Sequence, residues 1–458
     1  MGRLFGTDGA RGVANSELTC ELAMQIGRAA AMVLTQHTDR KRPKVLIGMD
    51  TRASSQMLES AISAGLCSVG ADVMLLGEIP TPAVAYLVKK YEYDAAVMIS
   101  ASHNPCEYNG IKIFQGNGYK LPDALEEEIE SIILDKTQVP PVKVGGEVGR
   151  VTRSRTSIID YTSYLRHVAE DELSEYGLEN FNGLKIAVDC SNGAASVTAP
   201  RIFMRLCDDC FFMACHPNGT NINANCGSTH LEVLQDFVVR NGCDAGLAFD
   251  GDADRFLAVD EKGNVVDGDR LIAIFAKHMK SKGKLKNNAA VVTVMSNMGF
   301  FQFCDDNEIH CEKTKVGDRY VLENMLENDY VIGGEQSGHI IFRDFATTGD
   351  GELSALKLLC VMKETGKTLS ELASEMEVYP QVLVNVRVSD FGKARFPRDK
   401  EIKNAIAAAE KELSNEGRVL VRVSGTEPLV RVMLEGKDQD KINVLAQEIA
   451  QVVRERLL

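Results

Sequence analysis

Apolar positions along the chain follow two alternating rhythms. Short unbroken runs, Val45–Ile47, Val73–Leu76 and Ala95–Ile99, read as buried strands. Between them, apolar residues return at helical spacing: Leu22, Ile26, Ala29 and Val33 behind a Thr19 cap, then Ser55–Val69 and Pro82–Lys90. Strands alternating with helices predict a doubly wound, largely parallel sheet. After Ile111–Phe114 and an acidic helix over Pro122–Leu134, Pro140-Pro141 and Gly145-Gly146 mark a linker.

The pattern then restarts. Strand Leu184–Val188 enters a strand-turn-helix unit at Asp189–Ala195, and strand Ala245–Phe249 ends on Asp250. Strands Phe256–Val259, Ala290–Val294 and Tyr330–Ile332, with helices at Leu271–Met279, Arg319–Leu326 and Glu352–Lys363, predict a third unit. From about Ser370 the texture changes to strands Val382–Val388, Val419–Val423 and Val430–Leu434 with helices Ile402–Leu413 and Ile442–Leu457. The expected fold class is α/β. Three similar doubly wound domains, 1–155, 156–255 and 256–370, precede a smaller α+β domain, 371–458, around a central cleft.

Composition narrows the function. A length of 458 residues allows about three or four domains. A formal net charge of −14 argues against nucleic acid or an anionic membrane as partner. Any anionic ligand therefore needs a local basic pocket. The opening Met1–Thr7 lacks the apolar core of a signal peptide, so a cytoplasmic location is expected. Twelve cysteines, mostly within apolar runs, suit reduced thiols. Cys207-Asp208-Asp209-Cys210 with Cys215-His216 lacks the second CxxC of a zinc site.

Four stretches carry chemistry. Ser102, in Ile99-Ser100-Ala101-Ser102-His103-Asn104-Pro105, places a hydroxyl at the carboxyl end of a strand, where open α/β sheets hold ligands; a turn satisfying its own backbone is the other reading. Asp250-Gly251-Asp252-Ala253-Asp254-Arg255 sets three carboxylates at alternate positions. Unit charges about 4 Å apart repel by about 4 kcal/mol at an effective dielectric near about 20, so the cluster calls for a cation, and an oxygen-only set favours Mg²⁺. An EF-hand fails at Arg255, where glycine is required, while a solvated acidic turn stays open. Gly333–His339 offers a carboxylate, an amide, a hydroxyl and an imidazole for a sugar's hydroxyls, or a capped loop. Arg422-Val423-Ser424-Gly425-Thr426, with Arg431 beyond, reads as a phosphate cradle or as a hairpin with incidental arginines. Arg11 and Lys112 add cations.

The motifs SASHNP, DGDADR, GEQSGH and RVSGTEP, in that order and at roughly that spacing, resemble the α-D-phosphohexomutase superfamily from Phe5 to the last helix. The opening RLFGTDGARG, the glutamine of GEQSGH and Thr314–Arg319 resemble its bacterial branch acting on glucosamine phosphates. The resemblance implies a phosphoserine at Ser102 that completes a Mg²⁺ site with Asp250, Asp252 and Asp254. Arg11, His103, Lys112 and Arg255 would surround the transferring group. Glu335 and Ser337 would hold sugar hydroxyls, and His339 would carry a proton. Arg422, Ser424, Gly425, Thr426 and Arg431 would grip the other phosphate. It implies interconversion of glucosamine 6-phosphate and glucosamine 1-phosphate through a 1,6-bisphosphate, primed by a hexose 1,6-bisphosphate. A homodimer is a further expectation. The neighbouring alternative is a phosphoglucomutase or phosphomannomutase, and a Mg²⁺-dependent aspartyl phosphatase or a non-catalytic sugar-phosphate sensor leaves parts of the set without purpose.

Overall fold

The computed structural model describes residues 3–6, 8–36, 40, 42–424 and 428–457. They divide into two compact units, Met1–Met295 with Ile309–Ser374, and Ser296–Glu308 with Glu375–Leu458.

Among the described residues the first unit carries three sheets. The first orders Phe5–Gly6, Gly9–Val13, Tyr108–Gln115, Ala95–Ile99, Lys44–Met49, Asp72–Glu78 and Val151–Arg153. Ala95–Ile99 lies near its middle with every residue buried, which is why it reads as an unbroken apolar run: both faces are covered. Helices Cys20–Gln36 and Ala53–Ser68 cover one face, with Ile26, Val33, Leu58 and Ile62 at 0–1% exposure. Helix Thr81–Lys90 covers the other, where a Cβ on Gly48 would stand 2.5 Å from Val84 Cγ2.

The sheet is mixed rather than largely parallel. Ala95–Ile99, Lys44–Met49, Asp72–Glu78 and Val151–Arg153 run parallel, whereas Tyr108–Gln115, Gly9–Val13 and Phe5–Gly6 add antiparallel strands. The glycine-rich opening is thus partly a strand, with Arg11 opposite Gly110. Its sequence Gly-Ala-Arg-Gly-Val holds a single β-branched residue, Val13, and two glycines, so it does not announce a strand.

The second sheet orders Val265–Val266, Phe256–Asp260, Ala245–Phe249, Lys185–Asp189 and Asp209–Met213. Phe256–Asp260, expected in the third unit, pairs antiparallel with Ala245–Phe249 over all five residues. Asp250–Arg255 is therefore the turn of a hairpin. The third sheet orders His310–Thr314, Ala289–Thr293, Ile332–Gly334 and Ile340–Phe342, the last pair again an antiparallel hairpin.

The second unit is α+β, as expected. Gln381–Arg387, Leu429–Gly436 and Gly417–Val423 form an antiparallel sheet. Helices Lys400–Leu413 and Gln439–Leu457 share its core, where Val430, Val432, Leu434, Ile442 and Val453 are fully buried. No helix among the described residues is long and apolar enough to cross a membrane.

Candidate active site

Ser102 follows strand Ala95–Ile99 with φ +53°, a left-handed conformation that costs a non-glycine residue about 1–3 kcal/mol and persists only where the surroundings impose it. Two long-range donors do so. Arg52 Nη2 and Asn223 Nδ2 each donate to Ser102 O at 2.9 Å and also reach Asn104 O. Arg52 is itself buried and paired with Asp50 at 2.8 Å. Sequence reasoning missed both; the available signal was that Asp50-Thr51-Arg52 ends the neighbouring strand. So held, Ser102 Oγ donates to Asp250 Oδ2 at 2.5 Å.

Asp250, Asp252 and Asp254 are buried, and one ligand atom from each lies within 4.8 Å of the others. The intervening residues are small for a steric reason. A Cβ on Gly251 would stand 2.5 Å from Ser102 O, so only glycine lets the two loops touch. Asp252 Oδ1 and Asp254 Oδ1 have no hydrogen-bond partner among the described residues. Burial, reinforced by the charges of Asp254 and then Asp252, holds the Asp250 carboxyl well above its ordinary value. Burial acts the same way on Asp254, but Lys112 and then His339 outweigh it and hold it low. Orphaned oxygens on a buried, oxygen-only cluster fit a hard divalent cation. No other group of three or more metal-ligating side chains comes together among the described residues, so the Cys207, Cys210, Cys215 and His216 cluster assembles no such site.

Cations ring this cluster. Lys112, 1% exposed, places Nζ 2.9 Å from Asp252 Oδ2 and 3.3 Å from Asp254 Oδ2. Burial opposes its charge, but Asp252, Asp8 and Asp254 outweigh that and keep it an ammonium. Arg255 Nη1 donates to His103 Nδ1 at 3.0 Å. Burial, Arg255 and Arg11 together push the His103 pKa down to about 4, so its ring is neutral, with Nδ1 an acceptor 3.4 Å from Ser102 Oγ. Arg11 Nη2 pairs with Asp8 Oδ2 at 2.5 Å. Asp8, Lys120 and Asp318, absent from the sequence-based set, join the network: Lys120 Nζ lies 2.9 Å from Asp8 Oδ1 and 2.6 Å from Asp318 Oδ2.

Glu335 and His339 sit in the hairpin of the third sheet. Glu335 Oε1 accepts the Gly317 N–H at 3.1 Å, while Ser337 is exposed. His339 Nδ1 lies 3.7 Å from Asp254 Oδ2, and Nε2 lies 3.5 Å from Asp318 Oδ2. Burial disfavours a charged ring, but Asp254 and then Asp318 outweigh it and raise its pKa. The Gly349 N–H, donating to Nε2 at 3.0 Å, favours the neutral ring instead. These opposed influences suit a group that takes and returns a proton.

The first unit thus brings together Arg11, Ser102, His103, Lys112, Asp250, Asp252, Asp254, Arg255 and His339, with Glu335 one loop away. In the second unit Arg422 and Arg431 are register partners on adjacent strands. Burial, then the charge of Arg431, lowers the Arg422 pKa. Like charges directly opposite are unfavourable unless an anion joins them. Ser424 is buried and donates its N–H to Leu429 O at 2.8 Å. Gly425 and Thr426 lie outside the described residues.

Four family models match the chain: phosphoglucomutase/phosphomannomutase alpha/beta/alpha domains I (residues 2–140), II (162–263) and III (267–379), and the C-terminal domain (383–452). The chain therefore belongs to the phosphoglucomutase/phosphomannomutase family. The phosphoglucosamine mutases of Acetivibrio thermocellus and Caldanaerobacter subterraneus subsp. tengcongensis are 55% and 56% identical over 457 residues, covering all of both chains in each case. Within the family the chain falls in the phosphoglucosamine mutase branch. Its fold matches that of a phosphoglucomutase/phosphomannomutase family protein from Burkholderia thailandensis (TM-score 0.80, 20% identity, 99% and 98% of the two chains). It also matches Aspergillus fumigatus N-acetylphosphoglucosamine mutase, solved with GlcNAc-6P and magnesium (TM-score 0.66, 16% identity, 99% and 96%).

Proposed function

We propose that the chain interconverts glucosamine 6-phosphate and glucosamine 1-phosphate through phosphoserine at Ser102, feeding the synthesis of UDP-N-acetylglucosamine and cell-wall precursors. The observation that carries this reading is Ser102 Oγ held 2.5 Å from Asp250, beside a buried three-carboxylate cluster and among Lys112, Arg255 and Arg11. Phosphoryl transfer asks mainly for positioning and for neutralised equatorial charge.

Asp250, Asp252 and Asp254, with an oxygen of phosphoserine 102, would hold one Mg²⁺ ion, which supplies charge neutralisation to the transferring group. The chain's own residues do the rest. Glu335 and Ser337 bind sugar hydroxyls, and Arg422, Ser424 and Arg431, with Gly425 and Thr426, bind the phosphate that is not reacting. In the first step the bond from phosphorus to Ser102 Oγ breaks, one to O1 of glucosamine 6-phosphate forms, and the hydroxyl proton passes to His339. Lys112, Arg255 and Arg11 offset the charge on the phosphoryl oxygens. The resulting 1,6-bisphosphate turns over and returns its O6 phosphate to Ser102. His339 gives the proton back to O6, and glucosamine 1-phosphate leaves. A trace of hexose 1,6-bisphosphate loads Ser102 at the outset.

The test is turnover of glucosamine 6-phosphate against glucose 6-phosphate and mannose 6-phosphate, with Mg²⁺ and a trace of hexose 1,6-bisphosphate, followed by phosphorus NMR. Clear preference for the amino sugar supports the proposal. Equal or better turnover of glucose or mannose phosphate moves the chain to phosphoglucomutase or phosphomannomutase chemistry, and no turnover with Ser102 phosphorylated ends the mutase reading.

A further inference from the structure

We infer that Lys120 is a positioning residue for the sugar, joining the phosphate-handling side of the site to its sugar-handling side through Asp8 and Asp318. This rests on the reading of Glu335 and His339 as sugar-side groups. Lys120 follows the turn after strand Tyr108–Gln115 and bridges back to Phe114. Its side chain is 13% exposed, and Nζ lies 2.9 Å from Asp8 Oδ1 and 2.6 Å from Asp318 Oδ2.

Each carboxylate leads to a different part of the site. Asp8 uses its other oxygen to hold Arg11 at 2.5 Å and stands 3.7 Å from Lys112 Nζ. Asp318 opens helix Asp318–Glu327 directly after Gly317, whose N–H is donated to Glu335 Oε1 at 3.1 Å. The same Asp318 oxygen that binds Lys120 stands 3.5 Å from His339 Nε2. Beside the ammonium, Arg319 Nη2 donates to Leu121 O at 2.6 Å, so consecutive residues on each side are tied across the same joint. The joint spans 198 residues of sequence, and it fixes where the Gly317–Asp318 turn stands relative to Asp8.

No hydrogen bond or ion pair runs from Lys120 to Ser102 or to Asp250, Asp252 and Asp254 among the described residues. A buried ion pair of this kind adds little net stability over an apolar contact, but its geometry is demanding. Burial works against the Lys120 charge, and Asp318 and then Asp8 outweigh it, so the ammonium persists. Removing it frees Asp318 from its register and loosens the Glu335 carboxylate, while the phosphoserine loop keeps its own supports, Arg52 and Asn223. The consequence falls on sugar binding rather than on loading of Ser102.

The experiment compares full-length wild type with Lys120→Met, Lys120→Arg, Asp318→Asn and the double variant Lys120→Met/Asp318→Asn. It measures KM and kcat for glucosamine 6-phosphate and phosphorylation of Ser102 by intact mass. Wild-type turnover, measured first, settles the underlying reading separately. The expected result is a KM raised about tenfold in Lys120→Met, with kcat and Ser102 loading within about twofold of wild type. Lys120→Arg recovers most of that loss, Asp318→Asn raises KM similarly, and the double variant is no worse than either single one. The inference is overturned if Lys120→Met or Asp318→Asn keeps the wild-type KM, if kcat falls instead of KM rising in Lys120→Met, or if the two single effects on KM add in the double variant; a change of kcat in Asp318→Asn alone reports its contact with His339.

Discussion

At the scale of single residues the site is a contest between burial and compensation, and two substitutions measure its halves. Ser102 gives one hydrogen bond to Asp250 and would be the phosphoryl carrier. Ser102→Ala should fold, lower kcat by at least about 10⁴-fold, and gain no phosphoryl mass on incubation with hexose 1,6-bisphosphate. Retained turnover would place the nucleophile elsewhere, as in an aspartyl phosphatase. Lys112 is the complementary case, since its ammonium contacts Asp252 and Asp254 while fully buried. Removing one partner of such a cluster strands charges of one sign, at a cost of about 3–5 kcal/mol. Lys112→Met should therefore lower Tm markedly in EDTA and regain part of the loss with Mg²⁺; an unchanged Tm in EDTA would mean that the carboxylates do not depend on this ammonium.

At the scale of elements, two turns from different sheets meet backbone to backbone. Ser102 O faces Gly251, where an added Cβ would sit 2.5 Å from that oxygen, 2.8 Å from Ile222 Cδ1 and 2.9 Å from Asn223 Nδ2. Gly251→Ala must push these loops apart, costing about 1–3 kcal/mol and a larger share of activity, because Asp250 would move away from Ser102. Thermal melts and kcat together check this, and near-normal values of both would show that the loops have room. Such meetings also separate what the sequence reveals from what it hides. Ser102 and the three aspartates are legible because polarity breaks abruptly at the end of an apolar strand within a few contiguous residues. Arg52, Asn223 and Lys120 are not, because each acts on a group 50, 121 or 198 positions away. Strand Phe256–Asp260 was recognisable as a strand, yet its apolar pattern carries no record of its neighbour. Only the antiparallel register with Ala245–Phe249 assigns it to the second sheet.

Across the first unit, the helix Gly351–Thr365 is buried at every position from Gly351 to Met362, and acidic side chains sit at its start. Asp350 caps it, accepting the Leu353 N–H at 2.9 Å, and receives the Tyr161 hydroxyl from helix Ser157–Ser174 at 3.0 Å. The Gly351 N–H is donated to Ala253 O, so this cap also steadies the aspartate turn. Burial raises the Asp350 pKa to about 7 against the opposing hydrogen bonds from Leu353 and Tyr161. An unfolded aspartic acid titrates near about 4, so between about pH 4 and 7 the folded chain keeps a proton that the unfolded chain has lost. Stability from this group is therefore present at low pH, declines as pH rises through that window, and is absent above about pH 7, a change of at most about 4 kcal/mol. Asp350→Asn can still cap the helix and meet Tyr161 but does not titrate. The fall in Tm between about pH 5 and about pH 8 should consequently be smaller in Asp350→Asn than in wild type. Parallel pH dependences in the two proteins would show that Asp350 is already ionised in the folded state and that its burial is compensated by groups other than the proton.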